Sequence, residues 1–205
     1  MEAIDQSENM ITEAQNKYPN VKFQVKDALA LDYDREFDAV FSNATLRWIK
    51  QPTKVLDCIY HSLKEGGRFV AEFGGKGNVH LMTQSIQKQF ESFNLSSFTD
   101  NFPWYFPSIS EYTTLMEEVG FTVTFAHLFQ LPTRLEGDNG LRHWLKMFGK
   151  DVFSGLPEEK RQLIMTNIEK DLKDKMFKDN HWLGRLSKNK SERNKRKINY
   201  FIFAT

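Results

Sequence analysis

Polar side chains able to handle a ligand stand in this chain where short apolar runs stop. The run Phe37 to Phe41 breaks at Ser42-Asn43, the mark of a buried strand with polar groups at its carboxyl end. Pro52 suits the first turn of a helix, and Val55, Leu56, Ile59 and Leu63 then recur at helical spacing. Gly66-Gly67 is predicted to stop that helix, and Arg68 to Phe73 reads as the next strand. A crossover of this kind builds parallel sheets, whose ligands bind beyond the carboxyl ends of the strands. Asn43 is thus predicted at a site mouth, with Arg47 and Trp48 following it. An arginine there suits a bidentate contact with an acidic group. Asp27 follows the alternating Val21, Phe23 and Val25, and Asp5 closes Ala3-Ile4, which reads as the end of another strand. Each residue also has a plainer reading: an exposed turn for Asp5, a helix or turn cap for Asp27, a turn former for Asn43 and a surface charge for Arg47.

The elements around these positions follow from capping and periodicity. Ser7 can cap a helix carrying Met10, Ile11, Ala14 and Tyr18 on one face, broken by Pro19-Asn20. Gly74 to Asn78 forms a turn opening a helix from about Val79 to Phe93, followed by a connector ending in Phe102-Pro103-Trp104-Tyr105-Phe106-Pro107. Ser108, Ser110 and Glu111 introduce a helix that Gly120 ends, and Phe121, Val123 and Phe125 alternate in a strand extending toward Leu131. Asp138-Asn139 can start a helix through Phe148, and Pro157 another past Leu172.

The totals bound the function classes. At 205 residues the chain suits one domain with a substantial core, and a formal charge of +1 shows no global bias toward nucleic acid or an anionic membrane. The lone Cys58 cannot form an internal disulfide, which agrees with a reducing, cytoplasmic setting. No apolar run is long enough to span a bilayer. The five histidines show no metal-ligand spacing, and no serine or cysteine triad can be assembled. His61, in the crossover helix, reads as a surface residue. From Arg185 to Lys197 there are seven basic residues and one acid, which reads as a solvated tail rather than a nucleic-acid-binding arm.

Val21 to Val25 with Asp27-Ala28, then FDAVFSNATLRWI, then SLKEGGRFVAEFGGKGNV, resemble class I S-adenosylmethionine-dependent methyltransferases, in the branch that includes trans-aconitate methyltransferase. The resemblance covers about residues 3 to 183 and rests on the order and spacing of the segments. It implies an α/β, Rossmann-like methyltransferase fold, a mostly parallel sheet flanked by helices with strand order 3-2-1-4-5-7-6. It implies that Asp5, with Gln6 beside it, accepts from both ribose hydroxyls of the cofactor, since a carboxylate offers two acceptors to two neighbouring donors. Asp27 would accept from the adenine amino group, Ala28 would leave room for the ring, and Asn43 would lie near the methionine part. Met10 could touch adenine, though helix packing explains it equally. Trp104 and Tyr105 fall where this fold builds its substrate lid, and join Arg47 and Trp48 as acceptor contacts; Arg134 and Arg142 are further candidates for an anionic acceptor. Many relatives carry His-Trp where this chain has Arg47-Trp48, so a histidine-based role is not carried over.

The same resemblance predicts parts that do not appear. The glycine-rich loop, the first strand and helix, and most of the second strand would lie before Met1, so the fold is expected to be N-terminally truncated. Gly74-Gly75-Lys76-Gly77 cannot stand in for that loop, because it follows the fifth strand. A methyltransferase domain is expected over residues 1 to 183 and a basic tail over 184 to 205. Relatives end in a strand resembling ADYRRIRV, and codons for Gly184 through Lys190 and beyond can be chosen to read so after a one-nucleotide shift. A frameshift that replaced the closing strand is therefore expected. Unpaired strand edges would favour self-association.

The function implied is methyl transfer from S-adenosylmethionine to a small polar or carboxylate-bearing molecule, with no metal. Because the donor methyl is already activated, alignment supplies much of the acceleration, and no acid–base pair is singled out. The alternative is a non-catalytic interaction subunit or inactive fragment keeping the same fold.

Overall fold

The computed structural model describes residues 1–95, 102–129, 133–149, 151–184 and 199–204, with backbone alone for 199–203. Short polar residues set the element ends. Asp5 and Ser7 lead from the strand Glu2–Asp5 (β1) into the helix Glu8–Lys17 (α1), whose Met10 N–H donates to Ser7 Oγ at 3.4 Å. The strand Lys22–Val25 (β2) returns parallel to β1. After a 3-10 turn at Ala28–Ala30 come the strand Phe37–Asn43 (β3), a second 3-10 turn at Leu46–Trp48, the helix Pro52–Ser62 (α2) and the strand Leu63–Gly74 (β4), which runs parallel to β3. The expected crossover is present, with one correction. The helix stops at Ser62, and Gly66-Gly67 lies inside β4, where Gly66 at φ +71° accompanies a register shift between Phe37 and Ala39.

The chain continues through the helices His80–Ser92 (α3) and Ile109–Val119 (α4), the strands Val123–Phe129 (β5) and Thr133–Arg134 (β6), and the helices Gly140–Phe148 (α5) and Glu158–Met176 (α6). It closes with Phe177–Lys178 (β7), His181–Gly184 (β8) and Asn199–Ala204 (β9). Ser108 and Glu111 form a reciprocal capping box at the start of α4, and Gly120, at φ +120°, ends it against the Tyr60 ring.

The strands form a two-stranded sheet β1-β2, a four-stranded sheet β3-β4-β9-β5 and a small sheet β6-β8-β7. The first two reproduce the 3-2 and 4-5-7-6 stretches of the expected order, as separate sheets. β9 occupies the place of the closing strand, so the expectation that a basic tail replaced it does not hold for 199–204. Gly184 belongs to β8, and 185–198 lie outside the described residues.

Where one domain through Leu183 is expected, the chain divides into two compact units: Met1–Phe73 with Pro107–His127 and Phe201–Thr205, and Gly74–Phe106 with Leu128–Tyr200. The first is built on buried Val55, Leu56, Phe69, Phe73, Tyr112 and Met116, with Phe73 and Tyr112 ring centroids 4.7 Å apart. The second has its own core, because the segments after β4 and β5 supply enough apolar surface: Met82 and Ile86 of α3, Leu141 and Leu145 of α5, and Ile164, Ile168 and Leu172 of α6 are buried in one cluster.

Candidate cofactor site

β1 and β2 run side by side, with Asp5 in register with Val25 and the Lys26 N–H donating to the Asp5 carbonyl at 3.1 Å. Asp5 and Asp27 therefore emerge from the same carboxyl end of this sheet. Each carboxylate is oriented by a backbone donor. Asp5 Oδ1 accepts from the Ser7 N–H at 2.8 Å, and Asp27 Oδ1 accepts from the Leu29 N–H at 2.9 Å, capping the turn that Ala28 opens. The plain reading of Asp27 as a cap is thus present. It leaves the second oxygen of each carboxylate without a hydrogen bond among the described residues. Gln6 is exposed next to Asp5, and Met10 is 56% exposed instead of packed.

Five further side chains steady this part of the chain, and periodicity gave no sign of them. Glu2 accepts from Lys22 Nζ at 2.6 Å and from the Tyr33 hydroxyl. Those hydrogen bonds, with Lys22 the larger influence, hold its carboxyl below the usual range. Lys26 sits 4.0 Å from the Tyr33 ring centroid and binds Asp32 at 2.6 Å, which raises its pKa. Its charge is therefore committed to neighbours.

Asn43 is exposed at the carboxyl end of β3, in a different sheet from Asp5 and Asp27. Arg47 and Trp48 follow on the Leu46–Trp48 turn, the guanidinium 5.4 Å from the indole centroid, with Trp48 39% exposed. The structure thus gathers Asp5, Gln6, Asp27 and Ala28 at one sheet end, and Asn43, Arg47 and Trp48 at another.

Two acceptor candidates change character. Trp104 is 6% exposed and belongs to the core of the second unit, its ring 5.9 Å from Phe106 and 5.6 Å from Trp144. It is a packing residue, and Tyr105 beside it is half-buried. Arg142 is tied to Glu169, Gln162 and Thr166, which leaves it no role as an anion grip. Arg134 is exposed on β6. His61 is exposed on α2 with Asp57 at 3.4 Å, as expected. Among the described residues no His, Cys, Asp and Glu cluster could hold a metal, and no helix is long and apolar enough to cross a membrane.

Comparison with known proteins agrees with this architecture. Residues 1–71 match the methyltransferase-domain family Methyltransf_11. An uncharacterized methyltransferase of Schizosaccharomyces pombe is 34% identical over 175 residues, covering 77% of this chain and 63% of the relative. The chain therefore spans less than two thirds of that protein's length. A trans-aconitate 2-methyltransferase of Methylobacterium nodulans is 33% identical over only 64 residues, 31% of this chain and 25% of that enzyme, which is too short to assign the branch. The crystal structure of a methyltransferase-like protein from Bacillus halodurans superposes with a TM-score of 0.60 at 15% identity, covering 99% of this chain and 81% of that one. The chain has a Rossmann-like α/β fold of the kind seen in these methyltransferase structures, and its first 71 residues match the methyltransferase-domain model.

Proposed function

We propose that the protein is an S-adenosylmethionine-dependent methyltransferase acting on a small polar or carboxylate-bearing molecule. The observation that carries the reading is the pair of pinned carboxylates, Asp5 and Asp27, at the shared carboxyl end of β1 and β2. Their unbonded oxygens fit the nucleoside: Asp5, with Gln6 adjacent, takes the ribose hydroxyls, and Asp27 takes the adenine amino group over the small Ala28. A carboxylate already fixed by a backbone N–H loses little freedom when it accepts a further donor. Asn43 serves the amino-acid end of the cofactor, and Arg47 with Trp48 contacts the acceptor. S-adenosylmethionine brings a methyl carbon activated by its sulfonium sulfur, so the protein's task is to hold donor and acceptor in line. A carboxylate acceptor needs no base, and Arg47 would neutralise and orient it. Isothermal titration of the full chain with S-adenosylmethionine and S-adenosylhomocysteine tests the reading. Saturable micromolar binding supports it, and absence of heat at millimolar ligand rejects it.

A second reading has its own support. Among the described residues β1 pairs only with β2 and β3 only with β4, and Phe41 on β3 is 65% exposed. Open parallel edges beside an exposed aromatic favour strand addition. A non-catalytic interaction subunit that associates with itself or another chain through those edges would use them. Sedimentation velocity separates the readings: a monomer at all concentrations that binds cofactor leaves only the enzyme.

A further inference from the structure

We propose that the loop Gly74–His80 and the first turn of α3 form a binding site for a small hydroxy-carboxylate. α3 runs thirteen residues, and its N-cap is Val79, whose side chain has no oxygen to offer the first turn. Thr83 N–H donates to the Val79 carbonyl, and His80 N–H reaches Gly77 at 3.4 Å. The intervening N–H groups, those of Leu81 and Met82, have no acceptor among the described residues, although the two residues are 8% and 1% exposed. Buried backbone donors are rarely left so.

An independent group faces the same deficit. Asn78, 3% exposed, has its Oδ1 buried without a partner, and His80 Nδ1 is buried likewise. The Asn78 amide occupies the space that a side chain at Gly74 would fill. A Cβ at that glycine would stand 2.3 Å from Asn78 Nδ2 and 2.7 Å from the Phe106 ring. Within five consecutive residues the chain thus presents two main-chain donors at the positive end of a helix, one fixed acceptor, and a ring nitrogen able to play either part.

That pattern specifies a ligand. Two adjacent N–H groups at a helix start match the two oxygens of one carboxylate. Asn78 Oδ1 then needs a donor on the same molecule, which a neighbouring hydroxyl supplies. His80 Nδ1 completes the contact as donor to the carboxylate.

The test is a titration of the full chain by 15N-resolved NMR with malate, with succinate, which lacks the hydroxyl, and with inorganic phosphate. No S-adenosylmethionine is present, so the result is independent of the methyl-transfer reading. Malate is expected to shift the amides of residues 78–83 saturably and to bind about tenfold more tightly than succinate. Asn78→Leu should keep succinate binding and abolish the preference for malate; Gly74→Ala, which displaces the amide, should do the same. Absence of saturable shifts at about 50 mM malate would show that these groups hold only trapped water, overturning the proposal. Tighter binding of phosphate than of malate, or a malate preference that survives Asn78→Leu, overturns it as well.

Discussion

Arg142 and Glu169 form a two-pronged ion pair between α5 and α6, with Nε to Oε1 at 3.0 Å and a terminal nitrogen on Oε2. Both side chains are about one-fifth exposed, and Gln162 and Thr166 occupy other guanidinium hydrogens. The fork geometry is what lysine lacks. Arg142→Lys is expected to destabilise the chain by about 1–3 kcal/mol through lost hydrogen bonds and partners left unsatisfied. Urea unfolding measures it. An unchanged midpoint would show the pair to be an idle surface contact.

Asp5→Ala and Asp27→Ala should each weaken S-adenosylmethionine binding by about ten- to a hundredfold, the loss of a hydrogen bond to a charged acceptor. Both residues also hold a backbone N–H of the next turn. Asp27→Ser, which keeps a cap oxygen and removes the charge, separates the two roles. It should retain the thermal midpoint and still lose affinity.

Trp104→Ala is expected to cost about 3–5 kcal/mol of stability, because the indole fills a core among Phe102, Phe106 and Trp144. A variant that unfolds like the parent protein but loses acceptor affinity would restore the contact role that the connector suggested.

Glu2 makes the stability of the first unit acid-sensitive. Its folded pKa lies below the ordinary value, so the stabilisation is complete above that ordinary value and is lost as pH falls through the depressed one. In Glu2→Gln, the decline in stability below about pH 4.5 should be shallower. Parallel pH–stability curves for the two proteins would mean that the Lys22 and Tyr33 bonds do not form in solution.

Capping chemistry made much of the fold legible in advance. Ser7, the Ser108–Glu111 box and Gly120 act locally, so sequence alone places them, and the crossover from β3 to β4 carries its own periodicity. Gly66-Gly67 misled because a left-handed glycine serves a helix end and a strand bulge equally well. The second core went unseen for a different reason. Arg142 finds Glu169 twenty-seven residues away, and Trp104 meets Trp144 across forty. Neither partner is visible in a local pattern. The candidate site divides the same way. Asp5 and Asp27 were legible as the ends of short strands, whereas the Glu2, Lys22 and Tyr33 cluster depends on register and tertiary approach.

β9 lies between β4 and β5, although it is the last of the described strands to be synthesised. A ribosome therefore exposes both neighbours well before their common mate leaves the tunnel, and they must wait with unsatisfied main-chain groups. Closure of this sheet is therefore a late, long-range step, since β9 must insert between two strands made well before it.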